Sequence, residues 1–241
     1  MITLYGWGPM FGCPSPSPYV IKTEIQLQMF GLDFDRAMAD LESVPKHKAP
    51  YVMDGDRLIE DSNFIRAYFE DKLGKTLDAD LSPPEKVTAW ALERMAESHL
   101  TAFVGYERWI KDENFNKGPI AFFMAAPEPM RQQIIDDSRQ SVNAVHQGTG
   151  FGRHSEADRI QLADWDLMAI AMQLGDQNFL FGDEPSAPDA SVSAVLMSCL
   201  TDFFDSPLPG LVQKYPNLVA YAERMKSLYL AESKWPVPEM A

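Results

Sequence analysis

The feature that most constrains this chain is the alternation of strand and helix patterns over its first seventy-odd residues, which fits a single α/β unit. Ile2-Thr3-Leu4-Tyr5 is a short apolar strand, followed by a Gly- and Pro-rich loop from Trp7 to Pro16. Ser17-Pro18 then opens a helix over Tyr19 to Phe30, closed by Gly31. Ser at the N-cap accepts an orphan backbone N–H, and Pro at the first helical position loses no bond. Val20, Ile21, Ile25, Leu27 and Met29 give this helix a buried face. Its N-terminus, with free N–H groups and the positive dipole end, favours an anion, including a thiolate. Asp33-Phe34-Asp35-Arg36 is expected as a second strand, Ala49 to Met53 as a third, and Arg57-Leu58-Ile59 as a fourth across an Asp54-Gly55 hairpin turn. From Ser62, Phe64, Ile65, Tyr68, Phe69 and Leu73 recur at helical spacing until Gly74.

A polar connector from Thr76 to Pro84 follows, and every later pattern is helical. The expected organisation is an α/β domain over residues 1–75, a linker over 76–84 and an all-helical domain over 85–241. Helices are expected over Glu85 to Ile110, Met130 to His146, Glu156 to Leu174 and Asn217 to Leu230. Ser186-Ala187-Pro188-Asp189 has the spacing of a capping box and predicts one more helix start.

The formal charge of −14 argues against binding a phosphate backbone, so nucleic acid is not an expected partner. No basic segment leads into an apolar run at the N-terminus, and no apolar stretch reaches membrane-spanning length. Neither a leader nor a membrane is therefore expected. Cys13 and Cys199 lie far apart and offer neither a disulfide framework nor metal spacing, which favours a reducing cytoplasm and no metal.

The Ser-Pro helix start with Lys22 beyond it, Lys48-Ala49-Pro50-Tyr51-Val52 and Asp61-Ser62 together resemble the thioredoxin-like half of a glutathione S-transferase. Leu77-Asp78-Ala79-Asp80-Leu81-Ser82-Pro83, Gly152-Arg153-His154-Ser155, Leu180-Phe181-Gly182-Asp183 and Tyr215-Pro216-Asn217-Leu218 are similar to the branch of failed axon connections and metaxin proteins. The resemblance implies a thioredoxin-like domain followed by an all-helical transferase domain, with glutathione as co-substrate, no tightly bound cofactor, and a homodimer. It implies that Ser17 stabilises the glutathione thiolate, which attacks a small apolar electrophile. Pro50 would be cis, Ala49 would pair with the cysteinyl backbone of glutathione, and Lys48 would meet its glycine carboxylate. Asp61 and Ser62 would hold the γ-glutamyl end, with Asp one methylene shorter than the commoner Glu or Gln.

Three residues compete to face the thiol. Ser17 is the first choice, although a Ser there can serve as a cap alone. Cys13-Pro14 is similar to the start of a thiol-transferase site, which leaves a thiol-disulfide oxidoreductase open. Ser15-Pro16 duplicates the Ser-Pro motif and leaves the register open. Tyr5 is read as packing. Trp7 and Phe11 in the loop, with His99, Phe103, Tyr106 and Trp109 on one long helix, are candidates for an electrophile pocket or else for core. A catalytically silent adaptor of the same fold remains the alternative to an enzyme.

Overall fold

The computed structural model describes residues 1–236. A four-stranded sheet of order β2-β1-β3-β4 is built from β1 (Ile2–Gly6), β2 (Asp35–Met38), β3 (Tyr51–Asp54) and β4 (Arg57–Glu60). β1 runs parallel to β2 and antiparallel to β3, and β3 forms a hairpin with β4. Leu4, Val52 and Ile59 are register partners across three strands and form one buried row. Against that row pack Leu27 and Phe30 of α1 (Pro18–Met29) with its C-cap, and Ile65 and Phe69 of α2 (Ser62–Leu73).

Two strand starts differ from expectation. β2 starts at Asp35, not Asp33, because Leu32 and Phe34 turn onto the sheet core after Gly31 closes α1 at φ 72°. β3 starts at Tyr51, after Pro50, which has no N–H for a ladder.

The helical part comprises α3 (Pro83–Met95), α4 (Thr101–Trp109), α5 (Asp112–Lys117), α6 (Glu128–Thr149), α7 (Glu156–Leu174), α8 (Ala187–Leu200), α9 (Leu208–Gln213) and α10 (Pro216–Tyr229). Pro83 and Pro84, expected in the linker, are the first two residues of α3, capped by Ser82 and Glu85. The single helix expected over Glu85 to Ile110 is interrupted by a π-helical turn, Ala96–Leu100, that joins α3 to α4. The Ser186–Asp189 box is formed as expected: the Ser186 N–H donates to the Asp189 carboxylate at 2.8 Å. α8 is buried from Ala187 to Cys199 and is the axis of the larger core. Ile21 and Ile25, on another face of α1, belong to that same core, so α1 joins the sheet layer to the helices. Among the described residues no helix is long and apolar enough to cross a membrane.

Candidate functional site

Strand register gathers three of the sequence motifs at one end of the sheet. Tyr5 pairs with Tyr51, and Tyr51 with Glu60, so the exit of β1, the Ala49-Pro50 entry to β3 and the Asp61 exit of β4 lie side by side. The Tyr5 and Tyr51 rings stack at 4.6 Å there, in keeping with a packing role for Tyr5. The Ala49–Pro50 peptide is cis; Pro50 is buried, Ala49 half-buried and Lys48 exposed.

Asp61, not Ser62, is the N-cap of α2: its carboxylate accepts the Asn63 N–H at 2.9 Å, at a backbone φ of 79°. Ser62 is the first helical residue and is buried. Asn63 ties this helix start to α1 and α3, because its Oδ1 accepts from Lys22 Nζ at 2.7 Å and from Arg94 Nη2 at 3.1 Å. Lys22 is itself buried and also pairs with Glu97 at 2.7 Å and Glu93 at 3.4 Å. Burial would raise the Glu93 carboxyl, but Lys22, Arg66 and the Ser191 hydroxyl together hold it below the usual glutamate range.

At the other helix start, Ser17 has extended backbone angles, and its hydroxyl forms no hydrogen bond to the helix it caps. The Ser17 carbonyl accepts the Val20 and Ile21 N–H groups at 3.1 and 3.2 Å. Ser15 is buried, and its hydroxyl accepts the Ser17 N–H at 3.3 Å, so it braces Ser17 from beneath. The half-buried Ser17 hydroxyl thus sits on an α-helix N-terminus without cap duty.

Cys13 occupies a different environment. It is 3 % exposed, its backbone exchanges two hydrogen bonds with Met10, and its thiol faces the Met197 carbonyl at 3.8 Å. Burial pushes the thiol up more than Arg108 pulls it down. A buried, protonated thiol presents no nucleophile to a disulfide, which weighs against the oxidoreductase reading.

Arg108 was not anticipated. This buried guanidinium reaches across from α4 and donates to the Pro16 carbonyl at 3.0 Å and the Ser198 carbonyl at 2.8 Å, with the Cys13 sulfur at 3.7 Å. It therefore anchors the peptide just before Ser17 to α8.

The four expected pocket residues separate. Phe11, at φ 57°, is buried among Phe122, Phe203 and Phe204 with centroids 5.3 to 5.8 Å away, so it is core and not pocket. Trp7 packs on Phe122 at 6.0 Å, in the same aromatic group. Phe103 lines a cavity of about 560 Å³ together with His99 and Trp109. Tyr106 stands behind the wall of that cavity, against His146, Phe151 and the Arg159 guanidinium. Tyr19, in the first turn of α1, also lines the cavity and donates to the Glu97 carbonyl at 3.0 Å. Burial, the Glu97 carboxylate and, more weakly, Asp61 push the Tyr19 phenol up to about 12. The cavity therefore adjoins the start of α1. Among the described residues no cluster of three or more His, Cys, Asp or Glu could hold a metal ion.

Comparisons with known proteins agree with this fold. Residues 18–114 match the model of the glutathione S-transferase N-terminal domain, and residues 163–225 that of its C-terminal domain. The isoprene-epoxide–glutathione S-transferase of Rhodococcus sp. (strain AD45) is 35% identical over 95% of this chain and 99% of its own. Failed axon connections of Drosophila melanogaster is 28% identical over 94% of this chain and 57% of its own. Among solved structures, a beta-etherase from Sphingobium sp. strain SYK-6 superposes with a TM-score of 0.69 at 15% identity, covering 94% of this chain and 95% of its own.

Proposed function

Because the chain belongs to the glutathione S-transferase family, we propose that it adds the glutathione thiolate to the electrophilic carbon of an epoxide. The observation that carries this reading is a Ser17 hydroxyl at a helix N-terminus, free of cap duty, in a chain whose Ala49-Pro50 and Asp61-Ser62 share one sheet end. An unperturbed thiol titrates near about 8.5, and lowering it by two units takes about 2.7 kcal/mol of differential stabilisation. A hydroxyl hydrogen bond plus a helix N-terminus is of that order. In this scheme the Ala49 backbone pairs with the cysteinyl peptide, Lys48 meets the glycine carboxylate, and Asp61 with Ser62 holds the γ-glutamyl end.

The epoxide class is supported by the 35% identical relative and by the apolar cavity beside Tyr19. The family resemblance extends the proposal to a cytoplasmic homodimer. Isothermal titration of glutathione into the wild type and Asp61→Ala tests the reading. Saturable binding at about millimolar affinity or tighter, weakened about tenfold (about 1.4 kcal/mol) by Asp61→Ala, is expected. No heat at several times that concentration would overturn it.

A further inference from the structure

Three of the chain's four histidines, His99, His146 and His154, line the same cavity of about 560 Å³ beside Tyr19. They are not equivalent. His146 is buried, and burial together with the Arg159 charge pushes it towards the neutral form. His154 is exposed, and no ring partner holds it among the described residues. His99 alone has a carboxylate partner: its Nδ1 lies 3.2 Å from Asp166 Oδ2 of α7, which leaves Nε2 free. The pair is graded in exposure, with the Asp166 side chain 13% exposed and His99 63%. A mostly buried carboxylate thus orients an accessible imidazole.

The backbone places His99 by an unusual device. It sits in the π-helical turn Ala96–Leu100, where the Thr101 N–H reaches back to the Ala96 carbonyl. Such single π turns occur disproportionately at functional sites. Glu97 of the same turn pairs with Lys22 and Arg94, which both hold Asn63 next to Asp61-Ser62. The turn that carries His99 is therefore fixed to the proposed glutathione site.

We propose that His99, oriented by Asp166, donates the proton to the epoxide oxygen as glutathione opens the ring in this cavity. The proposal rests on the transferase reading above. In the step, the thiolate sulfur forms a bond to one ring carbon while the C–O bond breaks, its electron pair passing to oxygen. The oxygen takes the proton from Nε2 of the imidazolium, giving a β-hydroxy thioether. The proton that the glutathione thiol released to solvent on binding balances the one His99 regains from solvent.

The discriminating experiment compares an epoxide with an aryl halide, whose departing chloride needs no proton. Turnover of isoprene monoepoxide and of 1-chloro-2,4-dinitrobenzene with glutathione is measured for the wild type, His99→Gln and Asp166→Asn. The expected result is that His99→Gln lowers epoxide turnover about a hundredfold more than aryl-halide turnover, the size of a general-acid contribution, with Asp166→Asn showing the same selectivity more weakly. Equal losses on both substrates, or none, would overturn the assignment, as would a wild type that turns over the aryl halide but no epoxide. A wild type that binds no glutathione would instead defeat the transferase reading itself and this inference with it.

Discussion

A serine at a helix start ordinarily offers its hydroxyl to the second or third N–H of the first turn, yet Ser17 does not. Ser15 supplies the local brace instead, which distinguishes the duplicated Ser-Pro motifs that the sequence left open. The motif residues themselves were legible because their chemistry is local: Ser17-Pro18 and Asp61-Ser62 are read within two positions of a helix start. Arg108 was not legible, since its partners are carbonyls about ninety positions away on either side. Phe11 and Trp7 were left open between pocket and core for the complementary reason, because aromatic residues in a loop look the same whether they line a pocket or fill a core. As a positioning residue, Arg108 gives a test at this scale. Arg108→Met removes the donor from two carbonyls and should cost about 2–4 kcal/mol of stability. Thermal melting reads that loss, and kcat should fall about tenfold while glutathione affinity is nearly kept, because the Ser17 loop is released and the Asp61 end is untouched.

Elements with strong caps were read closely. α7 has the expected bounds, set by the Ser155-Asp158 box at one end and Gly175 at the other. α9 was missed because Leu208–Gln213 is one and a half turns long and carries Pro209 and Gly210. The π turn inside the long helix was equally hidden, as periodicity over a window cannot register one extra residue. Where α1, α2, α3 and α8 meet, a buried polar cluster adds to the apolar packing: Lys22 of α1, Arg66 of α2 and Ser191 of α8 all converge on Glu93 of α3, at 2.8 to 3.4 Å. The folded pKa of Glu93 lies below its ordinary 4.5. Its contribution to stability is therefore present above pH 4.5 and is lost as the pH falls through the folded value. Glu93→Gln should destabilise the protein by about 3–5 kcal/mol at neutral pH, because two buried cations lose their partner. Below pH 4.5 its stability should also fall less steeply than the wild type's, which acid unfolding monitored by circular dichroism would detect.

At the scale of the molecule, α1 is shared by two cores, with Leu27 facing the sheet and Ile21 and Ile25 facing α8. The helix that presents Ser17 is thus clamped from both sides, and its N-terminal end cannot shift without disturbing both layers. The alternation of strands and helices and the later helical run made this architecture legible. The dual burial of α1 was not, since a nearly all-buried short helix shows little amphipathic contrast. The proposed transferase reaction depends above all on thiol activation at the Ser17 end of α1. The most direct measurement is the ultraviolet absorbance of the thiolate of bound glutathione, titrated against pH in the wild type and in Ser17→Ala. Bound glutathione is expected to titrate about two units below the free thiol in the wild type, and distinctly closer to the free value of about 8.5 in Ser17→Ala, where the helix N-terminus alone remains. Identical titration curves for the two proteins would contradict it.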